Sequence, residues 1–292
     1  VYQLVEHIRL DNDRVDIAEM EQTDTEGEAL TGGYLIEIDF RMNNDFCLSE
    51  FNQQLYAYCA GGVNALRQED YCMDSAYGME PFCLDEPEDL LTPEWEPQRN
   101  YITQYFNDTE AALFGNDFAD PDTGYAAYLD VDSTINYYII NELFKNVDGA
   151  LSSAYLHKPR NDKLYFGPIW DFDLSLGNAG YDDVDKTYGW HIRKESWFDR
   201  LFQDPAFEAK VMARWQTLKA EGKLEQIFQY AEARAQWLAL QQQRNFERWP
   251  IFYWQSWYTR VILGSYEAEV TEMIRWQRER MEWIDQQWSD AP

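Results

Sequence analysis

Two aspartates stand two residues apart in the run YFGPIWDFDLSLGN, and a third lies 23 residues before the first of them (171 − 148). Asp171 and Asp173 are set among Trp170, Phe172, Leu174 and Leu176. Acids are kept in such apolar company when something compensates their charge. Asp148 stands in the turn VDGALSS, directly after the helical run NELFKN. Two or three carboxylates converging from neighbouring loops make a hard-oxygen site, suited to Mg2+, Mn2+ or Ca2+. If the phosphates of a nucleotide share that metal, one aspartate is left to orient an acceptor hydroxyl, which is the division of labour of phosphoryl transfer. The competing reading is structural: Asp148 caps a turn and Asp171 pairs with a buried Arg or Lys. Asp173, Gly167 and Gly177 close around the pair and tip the balance towards a site.

Such a site needs elements that bring residues 148 and 171 together. The runs SAYLHK and KLYFGPIWDF are rich in β-formers and are joined by PRND, where Pro159, Asn161 and Asp162 are turn formers. They predict a β-hairpin whose second strand delivers Asp171, with Asp148 facing it from the other end. Before it, DVDSTINYYIINELFKN predicts a helix. Asp132 or Ser133 stands near its start, and Ile135, Tyr138, Ile139 and Leu143 line one face. Upstream, VYQLVEHIRL, RVDIAEM and YLIEIDF read as strands. Thr92 and Pro93 in TPEW open a helix with Ile102, Tyr105, Phe106 and Leu113 on its apolar side. From Trp197 to the end, three long amphipathic stretches predict helices, with most tryptophans serving as core. The order of elements is that of an α+β protein, its β structure concentrated early and its remainder mostly helical.

The 292 residues include 53 acids against 24 bases, a net charge of −29, with 45% hydrophobic and 16% aromatic residues. The composition is globular, and the charge disfavours nucleic acid and anionic membranes while fitting divalent cations or basic partners. No run is long and apolar enough for a transmembrane segment. Val1 opens in what reads as mid-strand, so the natural protein is expected to extend upstream of it. Cys47, Cys59, Cys72 and Cys83 fall in one loop-like window without a CxxC pair or a nearby histidine. Two disulfides stapling that window, and hence an exported protein, are expected; three pairings remain open. His7, His157 and His191 are scattered. No G-x-S-x-G, G-x-G-x-x-G or Walker A loop is present.

YFGPIWDFDLSLGN resembles the signature of the CotH (spore-coat protein H) kinase-like family. VYQLVEHI is similar to that family's GVY-x-L-x-E-x-I strand, and NELFKNVDGALSSAYLHK to its helix and active-site loop. WFDRLFQDPAFEAKVMARW and RNFERWPIF resemble its C-terminal helices. The resemblance covers nearly the whole chain, 1–292, as one kinase-like domain truncated at its N-terminus, with residues 47–91 as a Cys-containing insertion. It implies an atypical protein-kinase-like fold, with a partial β-rich N-terminal lobe and a mostly helical C-terminal lobe. It also implies a secreted, cell-surface or periplasmic bacterial protein that binds ATP with Mg2+ and phosphorylates Ser or Thr of an exported protein substrate. On this resemblance Asp148 is the active-site aspartate, Asp171 the metal-binding one, and Asp173 a second metal ligand or structural acid. Many relatives carry a lysine in a G-x-L-Y-K strand; here the comparable strand, GGYLIEID, has Glu37, which repels phosphate. Several relatives have Asn after the active-site aspartate, where this chain has Ser152 and Ser153, so Ser153 is expected as a neutral metal ligand acting through water. Two alternatives remain: a catalytically silent surface or matrix-assembly protein that keeps a divalent-cation site, and a fold stabilised by Ca2+ without nucleotide.

Overall fold

A computed structural model describes residues 7–78, 80–254 and 259–289. Among these, five strands form one antiparallel sheet: β1 (Tyr34–Ile38), β2 (Cys72–Met73), β3 (Phe82–Glu86), β4 (Ala154–Lys158) and β5 (Tyr165–Phe166). Their spatial order is β2-β3-β1-β4-β5. The α-helices are α1 (Gly27–Leu30), α2 (Glu50–Leu55), α3 (Leu66–Glu69), α4 (Glu96–Phe114), α5 (Val131–Phe144), α6 (Ser196–Leu201), α7 (Pro205–Ala220), α8 (Lys223–Trp237), α9 (Ala239–Arg248) and α10 (Tyr266–Ser289). The α+β class expected from the sequence holds.

Strand alternation divides the sheet into two faces. Tyr34, Ile36 and Ile38 of β1 share a face with Phe82, Leu84, Leu156 and Phe166, which pack against α4, α5 and α6 in the main core. Aromatic rings carry this contact: Phe82 lies 4.7 Å from Phe106 and 5.1 Å from Trp197, and Phe166 lies 5.3 Å from Phe198. Leu35 and Tyr155 face the other way, where Val15, Ile17 and Trp170 cover them. Glu37, between Leu35 and the end of β1, shares that second face.

Several sequence expectations are corrected. RVDIAEM is no strand: Val15 forms only an isolated bridge with Leu10. Its alternating Val15 and Ile17 are buried by lying across the second face of the sheet, so no ladder partner is needed. Most of VYQLVEHIRL, residues 1–6, lies outside the described residues, and His7 to Arg9 form no strand. The second hairpin strand stops at Phe166, five residues short of Asp171, because Pro168 has no N–H to continue the ladder. Thr92 donates its hydroxyl to the Asp89 carbonyl instead of capping the following helix. The first long C-terminal stretch breaks before Pro205, whose helix Asp204 caps by accepting from Ala206 N at 2.8 Å. The second is interrupted at Leu238, between α8 and α9.

Both expected disulfides are present, as Cys47–Cys59 and Cys72–Cys83. The segment that holds them is not a loop laid on the outside. It supplies β2 and β3, and Cys72 pairs with Cys83 across the ladder. Sequence separations of 12 and 11 put the chain-entropy stabilisation at about 2–3 kcal/mol per bridge. Urea unfolding with and without reductant is expected to show a loss of that order for each bridge, resolved by comparison with the Cys47→Ala/Cys59→Ala variant.

Candidate functional site

The end of α5 is shaped by Lys145, which takes the left-handed conformation (φ 45°) and donates its backbone N–H to Asn141 O and Glu142 O. The chain then turns through Asn146 and Val147 into Asp148. Its carbonyl accepts from Leu151 N and Ser152 N, both at 3.0 Å, closing a tight turn. Gly149 is required there: a Cβ would come 2.6 Å from Asn141 Oδ1. Asp148 is half-buried inside this turn.

The loop carrying Asp171 and Asp173 runs alongside. Leu176 N donates to Phe144 O at 2.8 Å, and Val147 N approaches Leu174 O at 3.5 Å. Phe172 meets Phe144 edge-on at 5.6 Å. Asp171 takes φ 54° and is exposed, as is Asp173. The hydrogen bonds at residues 174 and 176, with that ring contact, do the work expected of the longer hairpin strand. They bring the two acids to the Asp148 turn.

The acids feel one another. Asp148 is pushed up to about 6, first by burial and then by the negative charges of Asp171 and Asp173; Arg41 opposes the shift and Asp39 adds to it. Asp171 is also raised, by burial, by the charge of Asp173 and by a hydrogen bond between the two carboxyls, again opposed by Arg41. Like-charge repulsion of this kind is relieved by a bound cation. Among the described residues no three His, Cys, Asp or Glu side chains close into a metal cage. Mg2+ takes one or two protein carboxylates and completes its octahedron with water and phosphate oxygens. A coupled Asp171–Asp173 pair meets that requirement. Ser153 precedes β4 with φ 50°, and among the described residues its hydroxyl makes no hydrogen bond to the three aspartates. Its neighbour Ser152 is buried and donates to Asp39 Oδ1 at 3.4 Å.

The sequence reading passed over Asp39 and Arg41. After β1 the chain enters a short 3-10 turn, Phe40–Met42, capped by Asp39, whose carboxylate accepts from Arg41 N at 2.9 Å. The Arg41 guanidinium grips the same carboxylate through Nε at 2.9 Å and Nη2 at 2.6 Å. Extending the alternation Leu35, Glu37, Asp39 would have put Asp39 on the Glu37 face. That was the signal available.

Glu37 is pushed up to about 7 from an ordinary 4.5, first by burial and then by Asp39; Arg41 opposes, Asp85 adds, and the Tyr155 hydroxyl donates to it. A raised folded-state value means that Glu37 does not weaken the fold below pH 4.5 and weakens it progressively as pH rises towards 7. Glu37→Gln, which keeps an acceptor for Tyr155, is therefore expected to stabilise the protein by about 1–2 kcal/mol at pH 8, allowing for solvent screening, and to change little at pH 4.5. Thermal unfolding at the two pH values checks this.

Beyond Asp173 a cavity of about 300 Å³ opens between the Asp173–Asn178 loop, α9 and α10. Phe246, Phe252, Tyr266 and Met273 line its apolar wall, and Asp173, Asn178 and Arg260 its rim.

A five-stranded antiparallel sheet with helices packed on one face defines an α+β protein, and a half-buried aspartate beyond α5 lies beside an exposed aspartate pair. The chain belongs to the CotH family: the family model described as CotH kinase protein matches residues 1–284. No curated protein and no solved structure compared with the chain matches it.

Proposed function

We propose that this chain is an exported, Mg2+-dependent, atypical protein kinase that transfers the γ-phosphoryl group of ATP to Ser or Thr of another exported protein. The observation that carries the reading is the convergence of Asp148 with the Asp171–Asp173 pair at the end of α5, within a CotH family chain. In this reading the sheet with the Cys-bearing segment is the N-terminal lobe and the helices are the C-terminal one. Asp171, with Asp173, holds the Mg2+ that neutralises the charge of the phosphates. Asp148 accepts the proton of the acceptor hydroxyl as its oxygen bonds to phosphorus and the bond to ADP breaks. Positioning and charge neutralisation supply most of the rate. The two disulfides support an extracellular setting.

A second reading, a catalytically silent surface or matrix-assembly protein that keeps a divalent-cation site, is favoured by one observation. Glu37 stands at the expected lysine position, where Asp39 and Asp85 add negative charge that Arg41 only partly opposes. Calorimetric titration of Mg2+–ATP separates the two. Binding that is lost in Asp171→Ala supports the kinase, and absence of heat from the unaltered chain overturns it.

A further inference from the structure

We propose that Arg41 is the cation that meets the nucleotide's phosphates, and that the disulfide-stapled segment holds it there. The inference rests on the kinase reading and adds to it the residue that receives the phosphates. Three structural observations carry it. First, Asp39 is 2% exposed and holds the guanidinium edge-on through Nε and Nη2. A guanidinium has five N–H donors in a fixed fork, so this grip, made through Nε and Nη2, leaves the Nη1 donors for an anion. The Arg41 side chain is 41% exposed, as a group that must meet a ligand has to be.

Second, the Arg41 turn is tied to the Asp148 turn. Phe40 N donates to Leu151 O at 2.8 Å, and Ser152 Oγ reaches the Asp39 carboxylate that Arg41 grips. Arg41 is accordingly the positive charge felt by both Asp148 and Asp171. Third, the Cys-bearing segment braces the turn from outside. Asn64, itself buried, donates Nδ2 to Arg41 O at 2.6 Å, and Arg67 donates to Met42 O at 2.9 Å. Phe46, beside Cys47, packs on Phe40 at 5.4 Å, and the Cys47–Cys59 bridge closes that segment. A side chain whose own carboxylate partner is fixed, and whose backbone is held at two successive carbonyls, is pre-organised to receive phosphate oxygens without reordering. In a chain of net charge −29, a triphosphate needs such a cation besides its metal.

The test compares Mg2+–ATP with adenosine by calorimetry on the unaltered chain, Arg41→Gln, Arg41→Lys and Asn64→Ala. Arg41→Gln is expected to weaken ATP binding by about 10- to 100-fold and to leave adenosine binding unchanged, since only the phosphates lose a charged donor. Arg41→Lys, which keeps the charge without the fork, falls between. Asn64→Ala, which leaves every ligand-facing group in place, weakens ATP binding severalfold and keeps the proposal testable should Arg41→Gln not fold. Equal ATP affinity in the unaltered chain and in Arg41→Gln overturns the role of Arg41 while the kinase reading stands. An unaltered chain that binds neither ligand overturns both.

Discussion

Asp171→Ala is expected to lower Mg2+–ATP-dependent phosphoryl transfer by about a thousandfold or more, and to leave the fold intact. The two halves of this expectation come from different facts. Asp171 is exposed and its main side-chain partner is another acid, Asp173, so removing it deletes repulsion and no packing. Thermal unfolding should therefore move little, the relief of repulsion offsetting the small cost of Ala at φ 54°. On the proposed reading the chemical loss is large because a Mg2+ held by this loop would keep only Asp173 as a carboxylate ligand. Removing the Asp171 charge also takes away the largest electrostatic contribution raising Asp148. The pH at which Asp148 becomes an effective proton acceptor is accordingly lower in the variant. Asp148→Asn separates the roles: it should keep Mg2+–ATP affinity and lose turnover, the pattern of a group that acts only in the transition state. A variant at position 171 with activity within threefold of the unaltered chain would remove the metal role from this residue.

The candidate site gathers like charges that the sequence showed only in part. The paired aspartates were legible because acids two residues apart in an apolar run are costly unless they are used. Asp148 was legible because a turn after an amphipathic helix leads into a hairpin. The path between them was not. The expected strand stopped at Phe166, and the hydrogen bonds from Leu176 N to Phe144 O and from Val147 N to Leu174 O hold the aspartate pair beside the Asp148 turn instead. Such irregular contacts have no period and leave no pattern in the sequence. Asp39 and Arg41 escaped for a related reason. Their meaning lies in a 3-10 turn of three residues and in Asn64, which is 23 positions away from Arg41. The Cys-bearing window read as a staple on a loop because short β2 and irregular residues between the cysteines carry little alternation. Only pairing with β1, set by the burial of Phe82 and Leu84, makes β3 part of the sheet.

The largest stability effect is expected at Arg280, which pairs with Glu142 on the helix that leads into Asp148. In α10 the buried stripe runs Trp276, Arg280, Ile284, Trp288, at intervals of four, so an arginine occupies a core position. Arg280 is 0% and Glu142 of α5 is 1% exposed, and Nη2 meets Oε1 at 2.5 Å. The remaining donors reach Glu142 O, Thr187 O and Gly189 O, while the Glu142 carboxylate accepts from His191 N and Arg193 N at 2.8 and 2.9 Å. One ion pair thus fastens α10, α5 and the 187–193 loop. Arg280→Met leaves the Glu142 charge buried with two backbone donors and no cation, and about 3–5 kcal/mol should be lost in urea unfolding. In an isolated buried pair, replacing both partners by apolar residues often restores stability. Here Glu142→Leu/Arg280→Met also strands two backbone N–H groups and the carbonyls of Thr187 and Gly189, so the double variant should stay at least about 2 kcal/mol below the unaltered chain. Full recovery in the double variant would mean that the pair acts alone and that the loop is held by other contacts. A loss without recovery, accompanied by weaker Mg2+–ATP binding at temperatures where the fold still holds, would tie this pair to the placing of Asp148.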